Sequence, residues 1–104
     1  VKRLEVEISP HVEQQILEHV LYIARDSIDY AIAWERRLRA AIDAIGDLPG
    51  HAIDEVASLR AGGAIRKIVF ERTYLVFYQI NDSAGAVEIV NFRHGARLPK
   101  RGEP

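Results

Sequence analysis

The sequence contains no cysteine, and that absence removes several classes of protein at once. Without thiols there is no disulfide scaffold, no thiolate zinc site and no cysteine nucleophile. Long apolar runs are also missing: no uninterrupted stretch approaches the roughly 20 residues that a membrane-spanning helix needs. The first ten residues, VKRLEVEISP, alternate charged and apolar side chains instead of placing an apolar block behind a basic one, so they do not read as a signal peptide. The expectation is a soluble cytoplasmic protein. The histidines His11, His19, His51 and His94 show no metal-ligand spacing; His11 and His19 fall in one helical pattern but stand eight residues apart, too far for one ion. The glycines of AGGA (61–64) precede a strand pattern rather than a helix, so they form no phosphate-binding loop. No Ser, His and acid grouping suggests a hydrolytic triad, no repeat or low-complexity tract is visible, and no cofactor is expected.

What is present is enough for one core. A chain of 104 residues that is 48% hydrophobic and 28% charged has the size and composition of a single globular domain, expected to span 1–104. Its net charge of −1 conceals a division. Residues 1–59 carry 6 basic against 11 acidic side chains, and residues 60–104 carry 8 against 4. A basic half suits an anionic partner, although the two halves could equally neutralise each other within the fold. The basic excess is concentrated at the end, where NFRHGARLPKRGEP (91–104) sets Arg93, His94, Arg97, Lys100 and Arg101 against Glu103.

Periodicity supplies the elements. LEVEI (4–8) alternates as a half-buried strand does, and SP (9–10) follows it with a helix N-cap and a proline suited to the first helical position. Val12, Ile16, Val20 and Ile23, with Leu17, Leu21 and Ala24 beside them, predict a helix to about Arg25. A second helix is expected from near Ile28 to near Ile45, its inner side formed by Ala31, Trp34, Leu38, Ala41, Ile42 and Ile45. The short link between them requires an antiparallel hairpin, and GDLPG (46–50) ends it. Residues 51–63 are irregular, with at most a turn of helix around Val56 to Leu59. Strands are expected over 64–70, 74–80 and 86–92, joined by ERT and NDSAG as an antiparallel meander. The fold class is therefore α/β in composition (α+β): a strand, a helical hairpin and a three-stranded meander.

The middle strand, YLVFYQI, is apolar in both alternating sets. Leu75 and Phe77 occupy one face; Tyr74, Val76, Tyr78 and Ile80 occupy the other. Two apolar faces need two covers. The hairpin can supply one, and either the 51–63 segment and the C-terminal tail supply the other or an open face remains for a protein partner.

In order and spacing, these stretches resemble ParE-type toxins of the RelE/ParE superfamily: SP (9–10), YIA (22–24), AIAWERRL (31–38), LPG (48–50), LRAGGAIRKIVF (59–70), YLVFYQI (74–80) and above all VEIVNFRHGAR (87–97). The resemblance covers nearly the whole chain and implies a RelE/ParE-like toxin fold. It also implies the toxin half of a type II toxin–antitoxin system, held inactive in a hetero-oligomer by a cognate ParD-like antitoxin whose C-terminal segment folds around it. No membrane association and no direct sequence-specific nucleic-acid binding are expected.

The superfamily contains two activities. ParE-like members poison DNA gyrase, whereas RelE-like members cleave mRNA on the ribosome, a reaction requiring a base, a phosphate stabiliser and an acid. In the nucleases an arginine commonly follows the residue that opens the middle strand, and a tyrosine or histidine lies near the C-terminus; here Leu75 follows Tyr74, no tyrosine follows His94, and Val69 stands where some nucleases are basic. These departures favour a gyrase inhibitor with no catalytic residues. Under the nuclease alternative Arg66, Arg93 and His94 would act; a third alternative is a non-toxic member that still binds its antitoxin.

Candidate target contacts are Arg66, Arg93, His94 and Arg97. Arg66 and Lys67 point to opposite faces of their strand, and Arg66 is preferred by family position. Arg60 either lines the same region or caps its turn. Candidate antitoxin contacts are Trp34, Leu75 and Phe77, with Trp34 also placed on the core stripe of its helix. Tyr74 and Tyr78 are expected to pack on one strand face with their hydroxyls satisfied at the rim.

Overall fold

Ser9 and Pro10 set the first boundary of the fold. The computed structural model describes residues 3–95. Strand β1 (Glu5–Ile8) stops at Ser9, whose hydroxyl oxygen accepts the Val12 N–H at 3.2 Å, and Pro10 opens helix α1 (Pro10–Ala24). Ser27 does the same for α2 (Ile28–Ala44), accepting the Tyr30 N–H at 3.1 Å. Each cap satisfies one of the N–H groups that a helix start leaves without a partner. With only Arg25, Asp26 and Ser27 between them, the helices double back, and Arg39 of α2 reaches Glu13 of α1 at 2.7 Å and its own-helix Glu35 at 2.9 Å. These ion pairs are half-exposed and add little stability; the hairpin is held by the apolar side chains beneath it.

The expected strands and helices are present, with shifted ends. β2 (Arg66–Phe70) begins two residues after Ala64, β3 covers Tyr74–Asn81, and β4 (Ala86–His94) continues past Phe92. The irregular 51–63 stretch holds a full two-turn helix, α3 (Glu55–Ala61). Asp54 caps its start, and Gly62, with a left-handed φ of 74°, closes its end. Local periodicity misses α3 because so few of its side chains are buried: Ala57 is inside, whereas Val56 and Leu59 are exposed.

The sheet order is β1-β4-β3-β2. The meander is antiparallel as expected, but β1 joins it parallel to β4, with Glu5 opposite Ala86 and Ile8 opposite Ile89, so the sheet is mixed. Nothing in the alternation of LEVEI specifies that partner.

Two apolar clusters lie on the two faces of this sheet. On the hairpin side, Val12, Ile16, Trp34, Leu38, Ile42 and Ile45 meet Phe70, Val76, Tyr78, Val87, Ile89 and Phe92. Each such side chain stabilises the fold by about 1.5–3 kcal/mol when fully buried. On the other side, Ala57 of α3 packs with Ile65 and Phe77, flanked by Leu75 and Val90. The second face of β3 is therefore covered, by α3. The C-terminal tail, the other suggested cover, lies outside the described residues. Of the wide apolar stripe on α1, only Val12 and Ile16 are fully buried; Leu17 and Leu21 remain about half exposed, at 49% and 58%.

One glycine marks a close approach. A Cβ on Gly46 would stand 2.5 Å from the Leu4 carbonyl oxygen and against the Arg3 guanidinium, just where the Leu4 N–H donates to the Gly46 carbonyl at 2.9 Å. This contact ties the chain entering β1 to the end of the hairpin. Gly46→Ala is expected to destabilise the protein by about 1–3 kcal/mol, the usual cost of forcing an extra group into packed structure. Thermal unfolding should show a lowered Tm, and an unchanged Tm would mean that this contact does not constrain the fold.

Candidate functional site

The basic end of β4 emerges beside two different surfaces because strand residues alternate between faces, and an irregularity in the strand sets which residue meets which. Phe77 pairs with Asn91 but Tyr78 pairs with Ile89, so Val90 is an extra residue in β4. A bulge of this kind shifts which face each later side chain occupies. Past it, Phe92 points into the hairpin-side core, Arg93 pairs with Leu75, and His94 pairs with Tyr74.

On the α3 face, the Arg93 guanidinium lies 5.2 Å from the centre of the Phe77 ring, within the range of a cation–π contact. Phe77 is the partner of Lys67, so Lys67 shares this face. The Lys67 ammonium is 3.1 Å from the Asp54 carboxylate, and the Asp54 other oxygen accepts the Ala57 N–H at 2.9 Å. That helix-start hydrogen bond, and after it the Lys67 contact, hold the Asp54 carboxyl below the usual carboxylate range. Asp54 thus joins the cap of α3 to β2 and fixes the platform beneath Arg93.

On the hairpin face, His94 meets Tyr74 edge-on with ring centres 5.4 Å apart. The Tyr74 hydroxyl lies 2.9 Å from His19 Nε2, and His19 is enclosed by Tyr22, Trp34, Tyr74 and Phe92. Burial, reinforced by the nearby Tyr30, Glu71 and Tyr22, pushes the Tyr74 hydroxyl above its ordinary range. The turn beside it places Glu71 and Arg72 at φ of 49° and 60°, a conformation normally left to Gly or Asn. Arg37 of α2 holds Glu71 there at 2.6 Å. Tyr78 also has its hydroxyl satisfied, donating to the Pro49 carbonyl and accepting the His51 N–H, but it is fully buried and not at the rim.

The sequence-predicted residues are therefore distributed rather than gathered. Arg66 pairs with Tyr78 and donates to the His51 carbonyl at 2.6 Å. His94 pairs with Tyr74, four residues earlier on β3, which places the two backbones about 13 Å apart along the strand. Arg93 is on the opposite face from both, and Lys67, not Arg66, is the basic residue of β2 that accompanies it. Arg97 lies outside the described residues. Among the suggested antitoxin contacts, Trp34 and Phe77 are each 1% exposed and belong to the two cores, which leaves them no surface to offer; Leu75 is half-buried. The large aliphatic side chains that are open on the hairpin are Leu17, Leu21, Ile28 and Ile32, beside the exposed Tyr22 and Tyr30. Sequence reasoning did not single out His19 or Gln15 as site residues. The only signal for His19 was its position four residues before Ile23 and one before Val20 on the apolar edge of α1.

Among the described residues no group of three or more His, Asp or Glu side chains is placed to hold a metal ion, and no helix is long and apolar enough to cross a membrane. A mixed four-stranded sheet with a helical hairpin on one face and a short helix on the other defines an α+β fold that fits the ParE toxins. The family model for the ParE toxin of type II toxin–antitoxin systems, parDE, matches residues 6–99, and the chain belongs to that family. It is thus the toxin of a type II toxin–antitoxin pair, and membership implies an antitoxin partner. No curated protein matches the chain.

Asp54 carries a testable consequence for the α3 platform. Asp54→Ala should lower stability by about 1 kcal/mol at pH 7, as for other helix N-caps. Because the folded carboxyl is held low, its contribution is present above the unfolded value of about 3.9 and is lost as pH falls through the lower folded value. Urea unfolding of Asp54→Asn, which retains a capping acceptor but not the charge, should therefore decline less steeply than wild type below about pH 4. Parallel declines would remove the ionic part of the contact.

Proposed function

We propose that this ParE-family toxin acts in the cytoplasm by binding DNA gyrase, without chemistry of its own, and that a ParD-like antitoxin neutralises it in a hetero-oligomer. Family membership supports the type of target. The observation that carries the mode of action is the separation of Arg66, Arg93 and His94: two lie at opposite ends of one sheet face and the third on the other face. Cleavage of RNA needs a base, an acid and a phosphate stabiliser converging within hydrogen-bond reach of one phosphodiester. A surface that binds has no such requirement.

Arg93 is the leading target contact in this reading, presented over Phe77 on the α3 face. His94 borders the hairpin face, and Arg66 is engaged by the His51 carbonyl. The antitoxin meets the exposed apolar side chains of the hairpin, Leu17, Leu21, Ile28 and Ile32, and folds on them as it binds.

Supercoiling by purified gyrase tests the proposal, scoring both lost supercoiling and accumulated cleaved DNA. Inhibition relieved by the antitoxin is expected. Arg93→Ala should weaken it by about tenfold or more, the loss typical of a charged contact at an interface, and Arg66→Ala by much less. Folded protein that arrests growth and cleaves ribosome-bound mRNA while leaving gyrase untouched would overturn the proposal in favour of the nuclease.

A further inference from the structure

Strand β4 loses a neighbour halfway along its length. β1 accompanies it from Ala86 to Ile89 and then turns into α1; the Ser9 N–H to the Ile89 carbonyl, at 3.4 Å, is the hydrogen bond at this corner. Beyond it, the edge of β4 faces α1, and the side chain of Gln15 supplies what the strand no longer does. Both ends of its amide are used: Nε2 donates to Asn91 Oδ1 at 2.6 Å, and Oε1 accepts the Phe92 N–H at 3.0 Å.

Those two residues directly follow Val90, the extra residue of the bulge. Successive side chains of a strand alternate between faces, so one added residue reverses the side of everything after it. With Val90 accommodated as it is, Phe92 enters the hairpin-side core, Arg93 lies over Phe77 and His94 meets Tyr74. In an unbulged register each of the three would change sides. Phe92 would leave the core and Arg93 would enter it. The amide of Gln15 grips the chain at the one place where that choice is made.

We infer that Gln15 is a positioning residue: by holding the bulge at Val90 it assigns Arg93 to the α3 face and His94 to the hairpin face, and so decides which basic group the toxin presents to its target. The functional half of this inference rests on Arg93 as the target contact proposed above; the geometric half does not. Asn91 supplies a way to separate hydrogen bonding from simple volume. It is fully buried, and its Nδ2 finds no acceptor among the described residues. A carboxylate at position 15 could accept that N–H after rotation of the Asn91 amide while still accepting the Phe92 N–H, whereas leucine could do neither.

The test compares Gln15→Leu, Gln15→Glu and a core variant, Ile42→Val, chosen as a destabilised control. Nuclear Overhauser contacts between Arg93 and the Phe77 ring, and between His94 and the Tyr74 ring, report the faces directly; gyrase inhibition reports the consequence. Gln15→Leu should lose both contacts and require about tenfold more protein for half-inhibition, the equivalent of one strong contact. Gln15→Glu should recover both readouts, and Ile42→Val should keep both despite its lowered Tm. Should Gln15→Leu fail to fold, amide exchange in the wild-type protein decides: Phe92 is expected to be protected like the paired amides of β3. Exchange of Phe92 at the rate of an open edge, or an unaltered Arg93–Phe77 contact in Gln15→Leu, would overturn the inference. If wild-type protein leaves gyrase unaffected, the proposed target falls, while the contacts and exchange rates still decide the role of Gln15.

Discussion

Strand β3 is apolar on both faces, and the rest of the molecule is arranged around that constraint. A strand with Tyr74, Val76, Tyr78 and Ile80 on one side and Leu75 and Phe77 on the other cannot lie on a surface. It must occupy the interior of its sheet and be covered twice. The hairpin of α1 and α2 supplies the larger cover, with Trp34 at the centre of a ring of edge-on aromatic contacts to Phe70, Tyr74 and Phe92. The small helix α3 supplies the other. Its own burial amounts to little more than Ala57, so it depends on capping by Asp54, closure at Gly62 and the tie to Lys67. These are interactions of about 1 kcal/mol each, which makes α3 the element most sensitive to changes at its ends.

The two covers also create two chemically different rims. The hairpin rim near the start of β3 is aromatic and contains both His19 and His94 in contact with Tyr74. The α3 rim combines a guanidinium with the Phe77 ring and an ammonium with a carboxylate. Strand alternation puts the adjacent Arg93 and His94 on opposite faces, and one register irregularity, at Val90, sets which face each takes. Adjacent residues that looked like one basic cluster are thereby divided between the two rims.

Much of this was legible in the sequence, for identifiable reasons. The boundaries at Ser9 and Ser27 were marked by capping chemistry that acts over three residues, and the inner stripe of α2 repeated at helical spacing for four turns. Helix α3 was nearly invisible because its exposed Val56 and Leu59 break the amphipathic pattern. The candidate site was less legible than the fold. Trp34 and Phe77 have the side chains of an interface but fill the two cores, since an aromatic residue carries no local mark of which it will do. Arg66 was preferred over Lys67, yet the parity of β2 puts Lys67 with Arg93.

By itself the sequence determined every element but α3, together with the hairpin, the antiparallel meander and the need for two covers over β3, because periodicity, capping and turn chemistry act between residues close in the chain. Tertiary structure alone decided that β1 lies parallel to β4, that α3 is the second cover, and which of the two faces Arg93 and His94 each occupy. The reason is physical: strand partners and the face of a side chain beyond a bulge are set by contacts between residues far apart in sequence, such as Gln15 with Asn91, and alternation along one strand carries no record of them.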